Sequence, residues 1–228
     1  MNKQIHFSWK TKEIPNKFKN WVNTWSLYNP EWNIKLWTDD DNKNFIRQHY
    51  HYFLDTYLNY SSNIERADSM RYFYLYHFGG LYVDLDFECL KNIEPLLNSD
   101  IVLGQISARR YKKNMIQEVH PSFMYCETPK HDFFEDIVKG GLQTAFHKYR
   151  NIDRTKRGFG CIEVWTTGIE FLRQKVIEGN TKYDIKVVED EIYPYHYKEL
   201  NEFSDVRDFG ERFPKSFAVH HWASSYKK

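Results

Sequence analysis

The feature that most constrains this chain is a capped helix that leads through two glycines straight into an apolar strand. Ser62 and Glu65 fit the S-x-x-E pattern of a capping box, which predicts the start of a helix. Gly79 and Gly80 predict its end, because glycine readily adopts the left-handed conformation of a helix C-cap. The apolar run Leu81–Leu85 follows at once and is typical of a buried strand. A helix that feeds directly into a buried strand indicates an α/β fold.

That strand runs into two carboxylates, in the sequence Asp84-Leu85-Asp86. In open α/β sheets, ligands bind at the carboxyl ends of the strands. Side chains two residues apart in an extended segment point the same way, so Asp84 and Asp86 are expected to converge on one cation. Carboxylates suit Mg²⁺ or Mn²⁺, which bridge to phosphate oxygens and stabilise a departing diphosphate. Glu88 is a further acidic neighbour, and a solvated turn is the alternative interpretation of the motif.

The rest of the chain predicts one α/β domain with helices around a mixed sheet. Strands are expected at Gln4–Trp9, Ile34–Trp37, Ile101–Ile106, Ser122–Cys126, Ile185–Val188 and Ala218–His221. Helices are expected from Pro15 to Asn29, from a cap at Asp39–Asp41 to about His49, over His131–Tyr149 with a break at Gly140-Gly141, and over Ile169–Ile177. Residues 107–117 and 151–160 are expected to be loops.

Composition excludes several classes of function. The formal net charge is +1 and basic residues show no excess, which argues against a nucleic acid partner. No apolar stretch is long enough for a membrane span, and the first residues lack the apolar core of a signal peptide. The three cysteines, Cys89, Cys126 and Cys161, are odd in number and lack C-x-x-C spacing, which favours a reducing, cytoplasmic location. The 17 Tyr, 17 Phe and 7 Trp suit a packed core and also stacking on sugar rings.

Two charged residues on the helix before the Asp84–Asp86 strand belong to the same helical face. Asp68 and Arg71 are three residues apart, and Arg71 falls in a predicted apolar stripe with Ile64, Ala67, Leu75 and Phe78. A charge in such a stripe is costly unless it is paired. One interpretation is a structural ion pair. The other is that Asp68 binds sugar hydroxyls and Arg71 binds the sugar or a phosphate.

A pair of histidines near the end of the sequence follows an apolar segment. Val219-His220-His221-Trp222 could bring an imidazole to the metal site beside Asp86 or to a phosphate. A core or surface histidine is the alternative.

Taken together, these segments resemble glycosyltransferase family 32. The string from Ala67 to Asp86, with A-D-S-M-R-Y and G-G-L-Y-V-D-L-D, resembles its sugar-binding DXD region. That family includes capsular polysaccharide transferases, the initiating α-1,6-mannosyltransferase of yeast and inositol-phosphoceramide mannosyltransferases. The pattern is also similar to that of the large clostridial glucosylating toxins. Further segments agree in the family's order: Ile5–Trp9, Thr128–Phe134, Thr167-Gly168 and His220–Tyr226.

The resemblance implies a GT-A fold with a Rossmann-like mixed sheet flanked by helices, in a single domain over residues 1–228. Residues from 1 to about 106 would form the nucleotide-sugar-binding half, and about 107–228 the acceptor half with a C-terminal lid. It implies a hexosyltransferase that uses Mn²⁺ or Mg²⁺ and a UDP-sugar or GDP-sugar donor. The hexose would pass, with retention at the anomeric carbon, to a hydroxyl of a glycan, lipid or protein.

The resemblance also implies roles for particular residues. Asp84 would face the sugar and ribose, and Asp86 would bind the metal. His220 would be the second protein ligand of the metal, with His221 as the alternative. The catalytic set would be Asp84, Asp86, Asp68 and Arg71. The donor-binding set would be Ile5, Phe7 and Trp9 near the nucleotide, Asp68, Arg71, Tyr82 and Asp84 near the sugar, and Trp222 and Ser225 near the diphosphate.

Two other classes of protein fit some of these features. A haloacid-type phosphatase also places D-x-D after a strand, but Phe87-Glu88 stands where that class has x-Thr or x-Val. A non-catalytic carbohydrate-binding protein would use the same aromatic residues without a nucleotide.

Overall fold

The computed structural model of this protein describes residues 2–106, 119–151, 162–179, 181–195, 199, 202 and 208–223. The predicted loop at 107–117, all but the first residue of the loop at 151–160, and the predicted site residue Ser225 lie outside these ranges. Cys161 also lies outside them, while Cys89 and Cys126 are buried free thiols.

Eight strands occur in the described part of the chain. They are β1 (Gln4–Ser8), β2 (Asn33–Trp37), β3 (Gly80–Val83), β4 (Phe87–Cys89), β5 (Ile101–Gln105), β6 (Val119–Cys126), β7 (Ile185–Val188) and β8 (Ala218–His220). All but β4 and β8 form one sheet, in the order β2-β1-β3-β6-β5-β7. Strand β1 pairs in parallel with β2 and β3, β5 pairs in parallel with β7, and β6 lies antiparallel between β3 and β5. The predicted mixed sheet is confirmed.

Strands β4 and β8 form a separate antiparallel pair, in the register Phe87↔His220, Glu88↔Val219 and Cys89↔Ala218. The sequence did not predict β4, because three residues are too few to show a pattern. This small sheet brings the end of the described chain back to the segment that follows β3.

Nine helices are described: α1 (Asn16–Tyr28), α2 (Asp39–His49), α3 (Leu54–Asn59), α4 (Asn63–Phe78), α5 (Asp132–Asp136), α6 (Leu142–Tyr149), α7 (Ile162–Thr166), α8 (Ile169–Gly179) and α9 (Phe209–Arg212). A π-helical turn at Ile137–Gly141 joins α5 to α6, where the two glycines predicted a break. Helix α2 is capped by Thr38, whose side chain pairs reciprocally with Asp41. The predicted cap at Asp39 was therefore one residue late. None of these helices combines the length and apolar character that a membrane-spanning helix requires.

The sheet carries a hydrophobic cluster on each face. Leu81 and Val83 of β3 pack with Trp25 of α1 on one face. Tyr82, between them in sequence, belongs to the other cluster together with Phe73 of α4. This alternation is the period of a strand covered on both sides. Helix α4 and β3 thus hold the Asp84–Asp86 segment between two packed layers.

Helix α4 begins and ends as predicted but is buried more widely than its pattern suggested. The side chain of Ser62 accepts a hydrogen bond from the Glu65 N–H, and Glu65 bonds back to the cap. Ile64 of the predicted apolar stripe is exposed, whereas Glu65 and Asp68 are buried. The single-stripe prediction was wrong, because α4 contacts β3 and β6 and also α5 and α7.

Replacing Gly80 with alanine is expected to destabilise the protein strongly. Gly80 has a φ of +85°, and an added Cβ would lie 2.3 Å from the Gln4 carbonyl oxygen. That oxygen belongs to the backbone of β1 and cannot move without opening the β1–β3 pairing. Strain and overlap together should cost at least about 3 kcal/mol, measured by urea unfolding.

Gly210→Ala is the matched control for this prediction. The nearest atom to its added Cβ is a side-chain oxygen of Asp208 at 3.2 Å, which can shift. Equal losses in the two variants would contradict the role assigned to Gly80.

Candidate functional site

The two carboxylates predicted to converge do so at the end of β3. The N–H of Asp84 donates to the Ser122 carbonyl at 3.0 Å, and a turn then leads into β4. Because β8 pairs with β4, it carries His220 to the same place. One side-chain ligand atom each from Asp84, Asp86 and His220 lies within 4.8 Å of the others.

Of the two adjacent histidines, the structure brings His220 to the carboxylates. Its Nε2 lies 3.1 Å from Asp86 Oδ1. The Nε2 of His221 instead lies 2.9 Å from Glu88 Oε2, and its ring stacks on Trp21 with centroids 4.1 Å apart. Neighbouring side chains of a strand point to opposite sides, so only one of the two can face the site. His221 therefore orients the strand while His220 completes the cluster.

Charge and burial set different protonation tendencies for the two aspartates. Burial raises the pKa of Asp84, although the nearby Arg71 guanidinium opposes this. Burial also works against ionisation of Asp86, but His220 and the N–H of Ala223, which donates to Asp86 Oδ2 at 2.9 Å, lower its pKa to about 2. Asp86 is consequently a carboxylate at neutral pH.

The cluster has the donor atoms that a divalent cation requires. Asp84 Oδ1 accepts from Tyr82 and lies beside Arg71, while Oδ2 has no hydrogen-bonding partner among the described residues. Two carboxylates and an imidazole nitrogen form a mixed oxygen and nitrogen set that suits Mn²⁺ or Mg²⁺. These residues fit a metal ion.

Arg71 connects helix α4 to the carboxylates. Its Nη2 lies 2.9 Å from Asp68 Oδ1 and 3.1 Å from Asp84 Oδ1, and its guanidinium lies over the Tyr82 ring. Tyr82 donates to Asp84 Oδ1 at 2.7 Å. Burial raises the pKa of Asp68 to about 7, against the effect of the Arg71 charge. The ion pair of Asp68 and Arg71 is present, and Arg71 lies beside Asp84, while the binding of a sugar or phosphate by these residues stays a prediction.

The remaining predicted site residues differ in whether their side chains are accessible to a ligand. The side chains of Ile5 and Phe7 are fully buried in the core, and Trp9 is partly exposed and packs against Phe18. Trp222 has a φ of +51°, and its ring lies edge-on to His220 at 4.2 Å. The prediction for Ser225 concerns a residue outside the described ranges.

Sequence reasoning missed three polar residues beside this cluster. His120 Nδ1 lies 2.7 Å from the Ser122 hydroxyl, which lies 2.5 Å from the Tyr193 hydroxyl. The His120 ring is 6.3 Å from that of His220. Two polar residues at alternate positions of β6 were a signal that could have been used. No local signal marks Tyr193.

The comparisons with known proteins agree with this geometry. Residues 15–103 match a family model described as a glycosyltransferase sugar-binding region containing a DXD motif. The matched segment includes Asp68, Arg71, Asp84 and Asp86. It confirms the family resemblance predicted from the sequence.

Two curated relatives share extended similarity with the chain. Mannosyl phosphorylinositol ceramide synthase CSH1 of Saccharomyces cerevisiae is 36% identical over 60% of this chain and 34% of its own length. Inositol phosphoceramide mannosyltransferase 3 of Schizosaccharomyces pombe is 30% identical over 97% of this chain and 60% of its own length. The chain thus spans between about a third and three fifths of these relatives.

A solved structure shares the fold. The apo form of the glycosyltransferase GlyE of Streptococcus pneumoniae superposes with a TM-score of 0.55 at 13% identity, over 96% of this chain and 54% of that one. This likeness confirms the predicted GT-A arrangement of sheet and helices.

Proposed function

We propose that the protein is a metal-dependent glycosyltransferase, because residues 15–103 match the model of a glycosyltransferase sugar-binding region that contains a DXD motif. It moves a hexose from a nucleotide-sugar donor to a hydroxyl group of the acceptor, with retention at the anomeric carbon. The observation that carries this proposal is the convergence of Asp84, Asp86 and His220 at the end of β3. Donor sites at that edge of an α/β sheet follow the general rule for the architecture.

Asp86 and His220 hold the cation in this proposal, and Asp84 faces it from the sugar side. A divalent cation bound there supplies positive charge to the diphosphate as the bond to the sugar breaks. The Asp86 pKa of about 2 keeps a full negative charge available for binding at neutral pH. The Ala223 N–H fixes the carboxylate orientation through its bond to Oδ2.

Asp68 and Arg71 bind the donor sugar, with Tyr82 supporting Arg71 from beneath. Arg71 is largely buried, with 12% of its side chain exposed, so a ligand would meet a preorganised guanidinium held by two carboxylates. Trp9 is assigned to the base and Trp222 to the diphosphate, while the assignment of Ser225 to the diphosphate stays a prediction from the sequence. Residues up to about 106 form the donor half, and later residues form the acceptor half with a closing segment at Trp222.

The names of the curated relatives support a mannosyl donor and a phosphorylinositol ceramide acceptor. A glycan or protein hydroxyl is the alternative acceptor, and UDP or GDP the carrier of the sugar.

A thermal-shift experiment with nucleotides tests the proposal. UDP or GDP at a hundredfold excess over its dissociation constant should stabilise the native state by about 2.7 kcal/mol. For a chain of this size that raises the melting temperature by roughly 5 °C or more, and the rise should require Mn²⁺. His220→Ala should abolish the Mn²⁺-dependent part, because it removes a ligand.

His221→Ala is the matched control, since it removes an adjacent imidazole that bonds to Glu88 instead. Its own melting temperature falls, but its Mn²⁺-dependent shift should persist. Binding of free glycan together with no response to any nucleotide and Mn²⁺, or release of phosphate from small phosphomonoesters, would contradict the proposal.

A further inference from the structure

The side chains of Tyr193, Ser122 and His120 form a hydrogen-bonded chain, and the surroundings of Tyr193 determine which atom of each pair donates. Tyr193 is buried, and its hydroxyl has one hydrogen-bonding partner among the described residues, Ser122 Oγ at 2.5 Å. Burial raises the pKa of Tyr193, so the phenol keeps its single proton. Every proton has an acceptor only when Tyr193 donates to Ser122 and Ser122 donates to His120 Nδ1, because a Ser122 that accepted from both neighbours would leave its own proton without an acceptor. The reverse order would leave the buried Tyr193 proton without an acceptor, which is costly.

This order of protons determines the tautomer of His120. Since Nδ1 accepts a hydrogen bond, the single proton of the neutral ring must be on Nε2. A ring nitrogen that accepts a hydrogen bond carries no proton, so the ring with its single proton on Nε2 is neutral. Nε2–H has no acceptor among the described residues. His120 therefore offers a free N–H donor.

Local backbone structure places this donor beside the cation cluster. Between Leu103↔Met124 and Gly104↔His120 the register of β5 and β6 shifts, so β6 bulges just after His120, over the segment that holds Ser122. Bulges commonly redirect a side chain next to an active site. At Gly104 an added Cβ would lie 2.9 Å from the Tyr193 ring, so the glycine allows Tyr193 to approach β5 and reach Ser122. The His120 ring then lies 6.3 Å from His220 and 6.2 Å from Trp222.

We propose that His120 contacts the donor directly, by donating its Nε2–H to an oxygen of the leaving diphosphate. His120 is not among the residues whose ligand atoms cluster for the cation, so the proposal assigns its N–H to a group that the cation would hold and not to the cation itself. A neutral donor stabilises growing negative charge without forming a competing ion pair with Asp86. This inference rests on the proposed function, since it requires a diphosphate in the cleft.

The tautomer can be measured without any activity. In ¹⁵N-labelled protein, long-range ¹H–¹⁵N spectra should show His120 as the Nε2–H form, with the signal assigned by its loss in His120→Gln. Ser122→Ala removes the donor to Nδ1 and should shift the ring toward the Nδ1–H form. Tyr193→Phe leaves the Ser122 proton in place and should not. An Nδ1–H ring in the unaltered protein would overturn the proposal.

Kinetics test the contact itself. His120→Ala should lower kcat for sugar transfer by about tenfold to a hundredfold, with a smaller change in KM, because the diphosphate gains charge in the transition state. His120→Gln should recover part of this loss, since its amide N–H can occupy a similar position. His49→Ala, an exposed histidine on α2, should have no effect.

The outcomes distinguish failure of the proposed glycosyltransferase function from failure of the proposed His120 contact. If the unaltered protein binds no nucleoside diphosphate with Mn²⁺, both fail. If it binds and transfers sugar, and His120→Ala is folded and equally active, the inference about His120 fails alone. A glutamine variant no better than the alanine variant would also count against a hydrogen bond.

Discussion

Asp86→Asn is expected to reduce sugar transfer by about a thousandfold or more while the protein stays folded. The amide keeps the shape of the side chain and can still accept from the Ala223 N–H, but it lacks the negative charge that faces His220 and the cation. Loss of charge stabilisation at a metal-bound leaving group is worth several kcal/mol in the transition state, hence about three powers of ten in rate. The measurements are kcat/KM, the Mn²⁺ dissociation constant and the melting temperature without metal.

Glu88→Gln is the matched control for Asp86→Asn. It makes the same change two residues further on, where the carboxylate bonds to His221 rather than to the cluster. Its rate should stay within about tenfold of the unaltered protein, which is the scale of a lost positioning contact. Full activity in Asp86→Asn would refute the metal role of Asp86. Equal loss of activity in both variants would indicate that the substitutions disturb the structure around strand β4 and do not act on the metal site.

Arg71→Met is expected to lower the free energy of unfolding by about 3–5 kcal/mol, because it leaves Asp68 and Asp84 buried without their cation. The methionine fills a similar volume, so lost packing contributes little. Denaturation in urea measures the effect, with donor binding as a second measurement. The free energy of unfolding of Arg71→Lys should lie between those of the unaltered protein and Arg71→Met, since lysine keeps the charge but not the planar fork of donors.

Arg173→Met provides the comparison for Arg71. Arg173 also pairs with an acidic residue three positions earlier on a helix, Glu170, but at a more exposed site. Its loss should cost about 1 kcal/mol or less, as for surface ion pairs. If both variants lost the same stability, the Arg71 pair would be ordinary and not the buried link between α4 and the carboxylates.

The element that carries the site could be predicted because its signals are local. A capping box, a pair of glycines and an apolar run specify α4 and β3 within one stretch of chain, and the spacing of Asp84 and Asp86 follows from the strand period. Arg71 was identified because a charge in an apolar stripe requires a partner. The stripe itself was wrong, since a helix covered on several sides does not show one apolar face.

The parts that could not be predicted depend on long-range contacts. Nothing near His220 or His221 indicates which of them faces Asp86, because the β4–β8 pairing decides it and β4 has only three residues. The hydrogen-bonded partners of His120 could not be predicted for the same reason, since Ser122 and Tyr193 are 71 residues apart in sequence. Ile5 and Phe7 were assigned to the nucleotide by family resemblance, yet both side chains are in the core. Resemblance locates a segment without telling which of its side chains are accessible.

If Asp86 and His220 hold a cation as proposed, the affinity for that cation also reports whether β8 is paired with β4. His220 is delivered by a strand of three residues, and the Ala223 N–H that orients Asp86 comes from a position 137 residues away in sequence. Molecules in which β8 has detached would keep the six-stranded sheet but lose manganese binding. The observed dissociation constant is therefore the intrinsic one divided by the docked fraction. By the same equilibrium, manganese would hold β8 in place, so metal supply and the integrity of this part of the fold are coupled.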